Sequence, residues 1–110
     1  MKVTQDEVVD RQALLHVEVD DERLETHLQR AYQKLVQRTT IPGFRKGKTP
    51  RGLFEQMIGR SVLVEEALET LVPDAVAAAI EQEELDAYGT PRVNVTESEP
   101  VPKLDATVPL

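Results

Sequence analysis

The first twenty residues predict two strands joined by a turn. Apolar and polar side chains alternate through residues 13–19, and the apolar ones share a face: Ala13, Leu15, Val17 and Val19. Period-two alternation of this kind predicts a strand with one buried face. Residues 2–9 form a weaker strand candidate, and the polar run from Asp10 to Gln12 predicts the hairpin turn between the two strands.

The pattern then changes to that of a helix. Between residues 20 and 38, apolar side chains recur three and four positions apart, at Leu24, Leu28, Ala31, Tyr32, Leu35 and Val36. Asp20 or Asp21 can cap the start of this helix. Three cations spaced four residues apart predict a basic stripe that runs toward residues 41–50: Arg30, Lys34 and Arg38.

A short helix is predicted to follow residues 41–50. Thr49 can cap this helix, with Pro50 at its first helical position, and Gly59 ends it. Its large apolar side chains are predicted to lie together on one side: Leu53, Phe54, Met57 and Ile58.

A longer helix is predicted from Ser61, which can cap it, through Ile80. Pro73 lies inside the apolar stripe of this helix and removes one backbone donor, which leaves open a kink or a break into two helices. Because the stripe keeps its phase across Pro73, we expect a kink.

The last third of the chain predicts two more strands. Apolar positions alternate again in residues 92–95 and 103–110, with residues 97–102 as the loop between them. Pro109 cannot donate to a sheet, so it is expected on an edge strand or near a strand end. The element order β-β-α-α-α-β-β predicts one α+β domain over residues 1–110, in which an antiparallel sheet of about four strands packs with a first helix and a long helix.

Composition narrows the class of protein. The chain is 40% hydrophobic and 30% charged, as in ordinary globular proteins. It has no cysteine, which excludes disulfides, cysteine-based zinc sites and thiol nucleophiles. No apolar run approaches the ~20 residues that span a membrane, and the N-terminus lacks the apolar segment of a secretory signal. We therefore expect a cytoplasmic protein with no membrane association.

Charge is distributed very unevenly along the chain. The net charge is −7, yet residues 26–54 contain no acidic residue and seven of the thirteen Lys and Arg residues. This segment is called the basic window below. Such a concentration of positive charge indicates a local surface for an anionic partner. The acidic remainder of the chain would repel anions that bind non-specifically.

The segment Ile41 to Pro50, IPGFRKGKTP, is the centre of the basic window. Pro42 and Gly43 suit the two central positions of a type II turn, and Gly47 offers a second position that tolerates positive φ. Two such turns would display the side chains between them at a tip: Phe44, Arg45 and Lys46. The alternative is that Phe44 folds back into the core and the cations are only solvated.

Other chemistries fit this segment and the rest of the chain poorly. Gly43 to Thr49 resembles a nucleotide-binding P-loop, but it is one residue short and follows a helix, not a strand. The carboxylates lie on predicted polar faces, and neither His16 nor His27 has a partner at metal-ligand or catalytic spacing. We therefore predict no catalytic residue, no metal and no cofactor.

GFRKGKTP resembles the ribosome-docking motif of the bacterial trigger factor family, chaperones that meet nascent chains at the ribosomal tunnel exit. The whole chain is similar in element order to that family's N-terminal ribosome-binding domain, and residues 19–35 resemble its first helix. The downstream prolyl-isomerase domain and C-terminal chaperone arms would then be absent. Thr49, where some relatives carry an apolar residue, is the one departure within the motif.

The resemblance implies a non-enzymatic docking module for the large ribosomal subunit. It implies that a ribosomal protein and nearby ribosomal RNA contact one set of residues: Gly43, Phe44, Arg45, Lys46, Gly47 and Lys48. Secondary contacts to RNA are expected at Lys34, Arg38 and Arg51. Two alternatives stay open: a general RNA- or anion-binding module that uses the same loop, and a prolyl isomerase. Contact with nascent polypeptide, and a homodimer away from the ribosome, are further expectations from the family.

Overall fold

The computed structural model describes residues 1–6, 8–98 and 101–110. Its elements follow the predicted order: β1 (Lys2–Gln5), β2 (Gln12–Glu18), α1 (Asp21–Val36), α2 (Arg51–Ile58), α3 (Arg60–Gln82), β3 (Arg92–Glu97) and β4 (Lys103–Pro109). The four strands form one antiparallel sheet in the order β1-β2-β4-β3. The α+β class and the element order are therefore confirmed. The predicted loop 97–102 includes Glu99 and Pro100, which lie outside the described residues.

The chain divides into two compact units, residues 1–24 with 71–110 and residues 25–70. The first unit contains the sheet. The predicted inward face of β2 is buried, and it is joined by the alternate residues of β4: Leu104, Ala106 and Val108. Period-two patterning identified both strands because each presents one apolar face to the core.

The predicted turn before β2 is a two-residue hairpin. Val9 and Gln12 exchange two backbone hydrogen bonds of 3.1 and 2.9 Å. Asp10 and Arg11 between them have positive φ angles of 52° and 60°, as a two-residue hairpin loop requires. Pro109 is the last residue of β4, which is a central strand. The strand-end alternative for Pro109 is therefore right and the edge-strand alternative is wrong.

The unit of residues 25–70 has its own apolar core. Val36, Ile41 and Phe54 are buried in one cluster, with Tyr32, Leu35 and Ile58 packed against it. Phe54 is fully buried, whereas Leu53 and Met57 on the same short helix are 44% and 60% exposed. The four apolar residues fall within one broad side of the helix α2, but only Phe54 and Ile58 pack against the core, so this side is partly exposed.

The starts of α2 and α3 differ from their predicted caps. α2 begins at Arg51, with Pro50 at the N-cap position and no side-chain cap, and Thr49 is buried instead. α3 begins at Arg60, so that Ser61 lies inside the helix. Pro73 is also inside α3, which is not broken there; a kink at Pro73 stays a prediction. Among the residues described, no helix is both long and apolar enough to cross a membrane.

Candidate functional site

The first half of the segment between α1 and α2 is a tight turn. The Phe44 N–H donates to the Ile41 carbonyl at 3.1 Å. Pro42 and Gly43 occupy the two central positions, and Gly43 has a φ of +89°. These are the features of the predicted type II turn, in which the third position requires positive φ.

A second turn follows immediately. The Lys48 N–H donates to the Arg45 carbonyl at 2.9 Å, and Gly47 at the third position has a φ of +83°. The Gly47 N–H also donates to the carbonyl of Val36, at 3.1 Å. This bond satisfies a carbonyl at the end of α1, where no helical partner remains, and joins the second turn to the helix.

The ends of the loop are fixed by burial and by Tyr32. Ile41 and Thr49 are 7% and 1% exposed. The Tyr32 hydroxyl donates to the Thr49 carbonyl at 2.5 Å, and its ring meets the edge of Phe54 at a centroid distance of 5.6 Å. The docking loop, defined as residues 41–50, is therefore held at both ends by the core of the 25–70 unit.

Between the fixed ends, the loop exposes its large side chains. Phe44 is 39% exposed, and Arg45, Lys46 and Lys48 are all exposed. The alternative in which the Phe44 ring folds back into the core is therefore wrong. Within the described residues, the three cations have no acidic partner. No described carboxylate therefore neutralises their charge.

The other cations of the basic window fall into two groups. Lys34 lies 2.6 Å from a carboxylate oxygen of Glu66, and Arg51 donates two hydrogen bonds to Glu25 and one to Gln29. Arg30 and Arg38 are exposed and have no acidic partner among the described residues. The phosphate contacts expected of Lys34, Arg38 and Arg51 stay predictions, but only Arg38 of these three has its full charge unpaired.

The basic stripe along α1 is shorter than predicted. The helix ends at Val36, and Arg38 follows in a turn whose N–H donates to the Leu35 carbonyl at 3.0 Å. Arg30, Lys34 and Arg38 therefore do not form one helical row. Arg38 belongs with the loop and not with the helix.

The Arg51–Glu25 pair has a clear electrostatic signature. Hydrogen bonds from Arg51 lower the pKa of the Glu25 carboxyl below its usual 4.5. Glu25 in turn raises the pKa of the Arg51 guanidinium. A bidentate pair of this kind fixes the planar guanidinium in one orientation, which holds the first residue of α2 against α1.

His16 has two partners that the sequence analysis missed. Its Nδ1 lies 2.7 Å from Asp105 and its Nε2 lies 2.9 Å from Asp6. The hydrogen bonds to these two carboxylates raise the pKa of His16 above 6.5, with Asp105 the larger cause. Both ring nitrogens are occupied, so His16 links strands and has no free nitrogen to bind a metal or activate a nucleophile.

His27 is buried in the 25–70 unit, at 3% exposure. Its Nδ1 lies 2.8 Å from the Thr70 hydroxyl oxygen, and that hydroxyl donates to the Ala67 carbonyl at 3.2 Å. Because Thr70 uses its one proton on Ala67, the Nδ1 of His27 is the donor in the first bond. This is a structural connection between α1 and α3. In the described part of the chain, no group of three or more acidic or histidine side chains is arranged to hold a metal.

Comparison with known proteins gives one consistent family. Residues 1–110 match the family model described as bacterial trigger factor protein. A trigger factor from Pelotomaculum thermopropionicum is 42% identical over 99 residues, which cover 90% of this chain and 23% of that protein. A trigger factor from Dehalococcoides mccartyi is 38% identical over 110 residues, which cover 100% of this chain and 24% of that protein.

A solved structure of the trigger factor chaperone has the same fold. It superposes with a TM-score of 0.68 and 24% identity, over 98% of this chain and 25% of that one. The matched family model is the N-terminal one, so this segment is not the family's prolyl-isomerase domain. The resemblance carried by GFRKGKTP is confirmed, because the match extends over the full 110 residues: the chain belongs to the bacterial trigger factor family.

Proposed function

We propose that the chain docks a trigger factor chaperone on the large ribosomal subunit, beside the exit of the nascent-chain tunnel. The observation that carries this proposal is the docking loop itself. Two glycine turns closed by hydrogen bonds display one aromatic ring and three cations, and the residues that the structure describes supply no acidic partner for them. Such a surface is suited to a partner that presents carboxylates and phosphates together.

Each side chain of the loop has a distinct proposed role. Arg45 pairs with a carboxylate of a ribosomal protein, because its planar guanidinium suits bidentate recognition. Phe44 packs beside that contact. Lys46 and Lys48 face ribosomal RNA phosphates, with Arg38 as a further contact. Since the loop offers no row of aromatic rings for base stacking, the RNA contact depends on charge and shape.

The proposed docking places the chaperone in the cytoplasm, where it receives nascent polypeptide and supports co-translational folding. These activities, and a homodimer away from the ribosome, are proposed from membership of the family. The chain spans only 23% and 24% of the lengths of the two trigger factors compared above. In this proposal the chain itself performs no chemistry. A prolyl-isomerisation assay on it is expected to give no activity above the uncatalysed rate.

Co-sedimentation with large subunits tests the proposal, using a variant in which Phe44, Arg45 and Lys46 are all changed to Ala. Loss of sedimentation with retention of the fold is expected. The salt dependence then separates two mechanisms. A shallow slope of log affinity against log salt is expected if the Arg45 carboxylate contact dominates, because each phosphate contact adds roughly 0.7 to 0.9 to the slope.

A second candidate function is a general RNA- or anion-binding module that uses the same loop. The five cations of the basic window without acidic partners in the described structure favour it: Arg30, Arg38, Arg45, Lys46 and Lys48. Equal affinity for protein-free ribosomal RNA and for intact subunits, with a steep salt slope, would establish this function in place of ribosome docking.

A further inference from the structure

The helix that follows the docking loop has an exposed face without charge. Around α2, Phe54 and Ile58 face the core, and the remaining apolar and uncharged residues beside them are exposed: Gly52, Leu53, Gln56 and Met57. Leu53 and Met57 lie four residues apart and are therefore neighbours on the helix surface. At 44% and 60% exposure, they form an apolar pair next to a segment whose other exposed side chains are mostly cations.

Exposed apolar residues are concentrated in this part of the 25–70 unit. The unit has four large apolar side chains that are exposed, and all of them lie between residues 44 and 62: Phe44, Leu53, Met57 and Val62. A single exposed apolar residue needs no explanation, but neighbouring ones, as Leu53 and Met57 are on α2, are typical of an interaction surface.

Gly52 adds an independent observation. Glycine in a helix is unfavourable relative to alanine, and the fold gives no steric reason for it here. A Cβ built on Gly52 would have no atom within 4 Å, and its φ is not positive. A missing side chain on an exposed helix face permits the backbone to be approached closely by a partner, so Gly52 is explained by a contact outside the domain.

The chemistry of this face decides between classes of partner. Leu53 and Met57 gain free energy by removing apolar surface from water, which a hydrated phosphate backbone does not provide. A symmetric contact with a second copy of the chain through this face is disfavoured by charge, because residues 25–70 carry eight Lys and Arg and five Glu. A symmetric contact through α2 would bring two such net-positive units together.

We propose that the exposed face of α2, formed by Gly52, Leu53, Gln56 and Met57, is a protein-binding surface that packs against an apolar patch on a protein of the particle engaged by the docking loop. This inference rests on the proposed function. It adds a second contact, between α2 and a protein of the same particle. The loop cations then contact carboxylate and phosphate groups, whereas α2 contacts protein only. Thr49 and Phe54, both fully or almost fully buried, hold the two surfaces in a fixed relation.

The test uses the double variant Leu53→Gln and Met57→Gln, with Val8→Gln and Val9→Gln as its control. Val8 and Val9 are 46% and 60% exposed, which matches the pair on α2, but they lie in the other unit. Affinity is measured for intact large subunits and for protein-free ribosomal RNA at two salt concentrations. The double variant is expected to bind subunits at least about tenfold more weakly, with an unchanged salt slope and unchanged RNA binding, while the control binds as the parent chain does.

Gly52→Ala provides a second variant whose folding is not in doubt. Because no atom obstructs the added Cβ, it is expected to raise the unfolding temperature and yet to weaken subunit binding. If the double variant does not fold, subunit binding by Gly52→Ala tests the proposal in its place.

Three results would overturn the inference. They are unchanged subunit binding by the folded double variant, an equal loss of binding to protein-free RNA, and altered self-association in sedimentation velocity with unchanged subunit binding. Failure of the proposed function looks different, since the parent chain itself would then not bind subunits, or the triple alanine variant of the loop would bind them normally.

Discussion

The Tyr32 hydroxyl donates a 2.5 Å hydrogen bond to the carbonyl of Thr49, and so connects α1 to the end of the docking loop. Changing Tyr32 to Phe removes this bond but keeps the ring against Phe54. We expect a loss of about 0.5–1.5 kcal/mol in the free energy of unfolding, because the carbonyl loses its partner. Urea denaturation measures this loss. Tyr88→Phe is the control, since Tyr88 is 71% exposed, and an equal effect of both changes would contradict the role of Tyr32.

The two loop glycines are expected to differ in their tolerance of alanine. Both have positive φ, so each substitution costs roughly 1–2 kcal/mol of backbone strain. At Gly43 no atom lies within 4 Å of the added Cβ, whereas at Gly47 the Cβ would lie 3.0 Å from the side chain of Gln37. Gly47→Ala should therefore lower the unfolding temperature slightly more than Gly43→Ala, since only the end of the exposed Gln37 side chain has to shift. Equal effects would show that Gln37 moves aside without cost.

The Arg51–Glu25 pair should stabilise the chain in a pH-dependent way. The pKa of Glu25 is lowered in the folded chain, so its contribution is present above the carboxyl's ordinary pKa of 4.5 and is lost as the pH falls through the folded value. Glu25 is largely exposed, so Glu25→Gln should cost at most about 1 kcal/mol at pH 7. The difference from the parent chain should disappear at strongly acidic pH. Glu69→Gln, at an exposed site without an acid–base partner in the described structure, should leave the stability unchanged at both pH values.

His16 gives the opposite pH dependence. Its pKa is raised in the folded chain, so its contribution is fully present below about pH 6.5, the ordinary pKa, and is lost as the pH rises through the folded value. The parent chain should therefore lose more thermal stability between pH 5.5 and pH 8.5 than a His16→Gln variant. Titration of the His16 ring signals by NMR measures the pKa directly. A value at or below 6.5 would contradict the bridging geometry.

The sequence predicted the strands, the helices and the two glycine turns, because these depend on local periodicity and on residues that tolerate particular φ angles. The alternation in residues 13–19 corresponds to a buried face, and Gly43 and Gly47 both have the positive φ expected of them. Local signals of this kind do not depend on contacts between distant parts of the chain.

Features that depend on distant partners could not be predicted. His16 meets Asp105 only because the register of β2 on β4 makes them cross-strand partners. Lys34 meets Glu66 because two helices lie side by side. The prediction of a continuous basic stripe was wrong for a different reason. The helix α1 ends at Val36, whose carbonyl accepts a hydrogen bond from the Gly47 N–H, so Arg38 lies outside the helix.

The capping predictions for α2 and α3 failed because sequence places a helix start only to within one or two residues. Thr49 has the right chemistry to cap α2, but α2 begins one residue later than predicted, so that Pro50 occupies the N-cap position. The exposure of Leu53 and Met57 could not be foreseen either, since an apolar residue on a short helix is more often placed in the core.

The most direct test of the account is co-sedimentation of the Phe44→Ala, Arg45→Ala, Lys46→Ala variant with large ribosomal subunits. Its matched control is Tyr88→Ala, Lys2→Ala, Arg92→Ala, which removes one exposed aromatic ring and two exposed cations from the other unit. If the docking loop binds the ribosome, the loop variant stays in the supernatant while keeping the parent's circular dichroism spectrum, and the control sediments with the subunits. Sedimentation of the folded loop variant at the parent's level would contradict the assignment of ribosome docking to this loop.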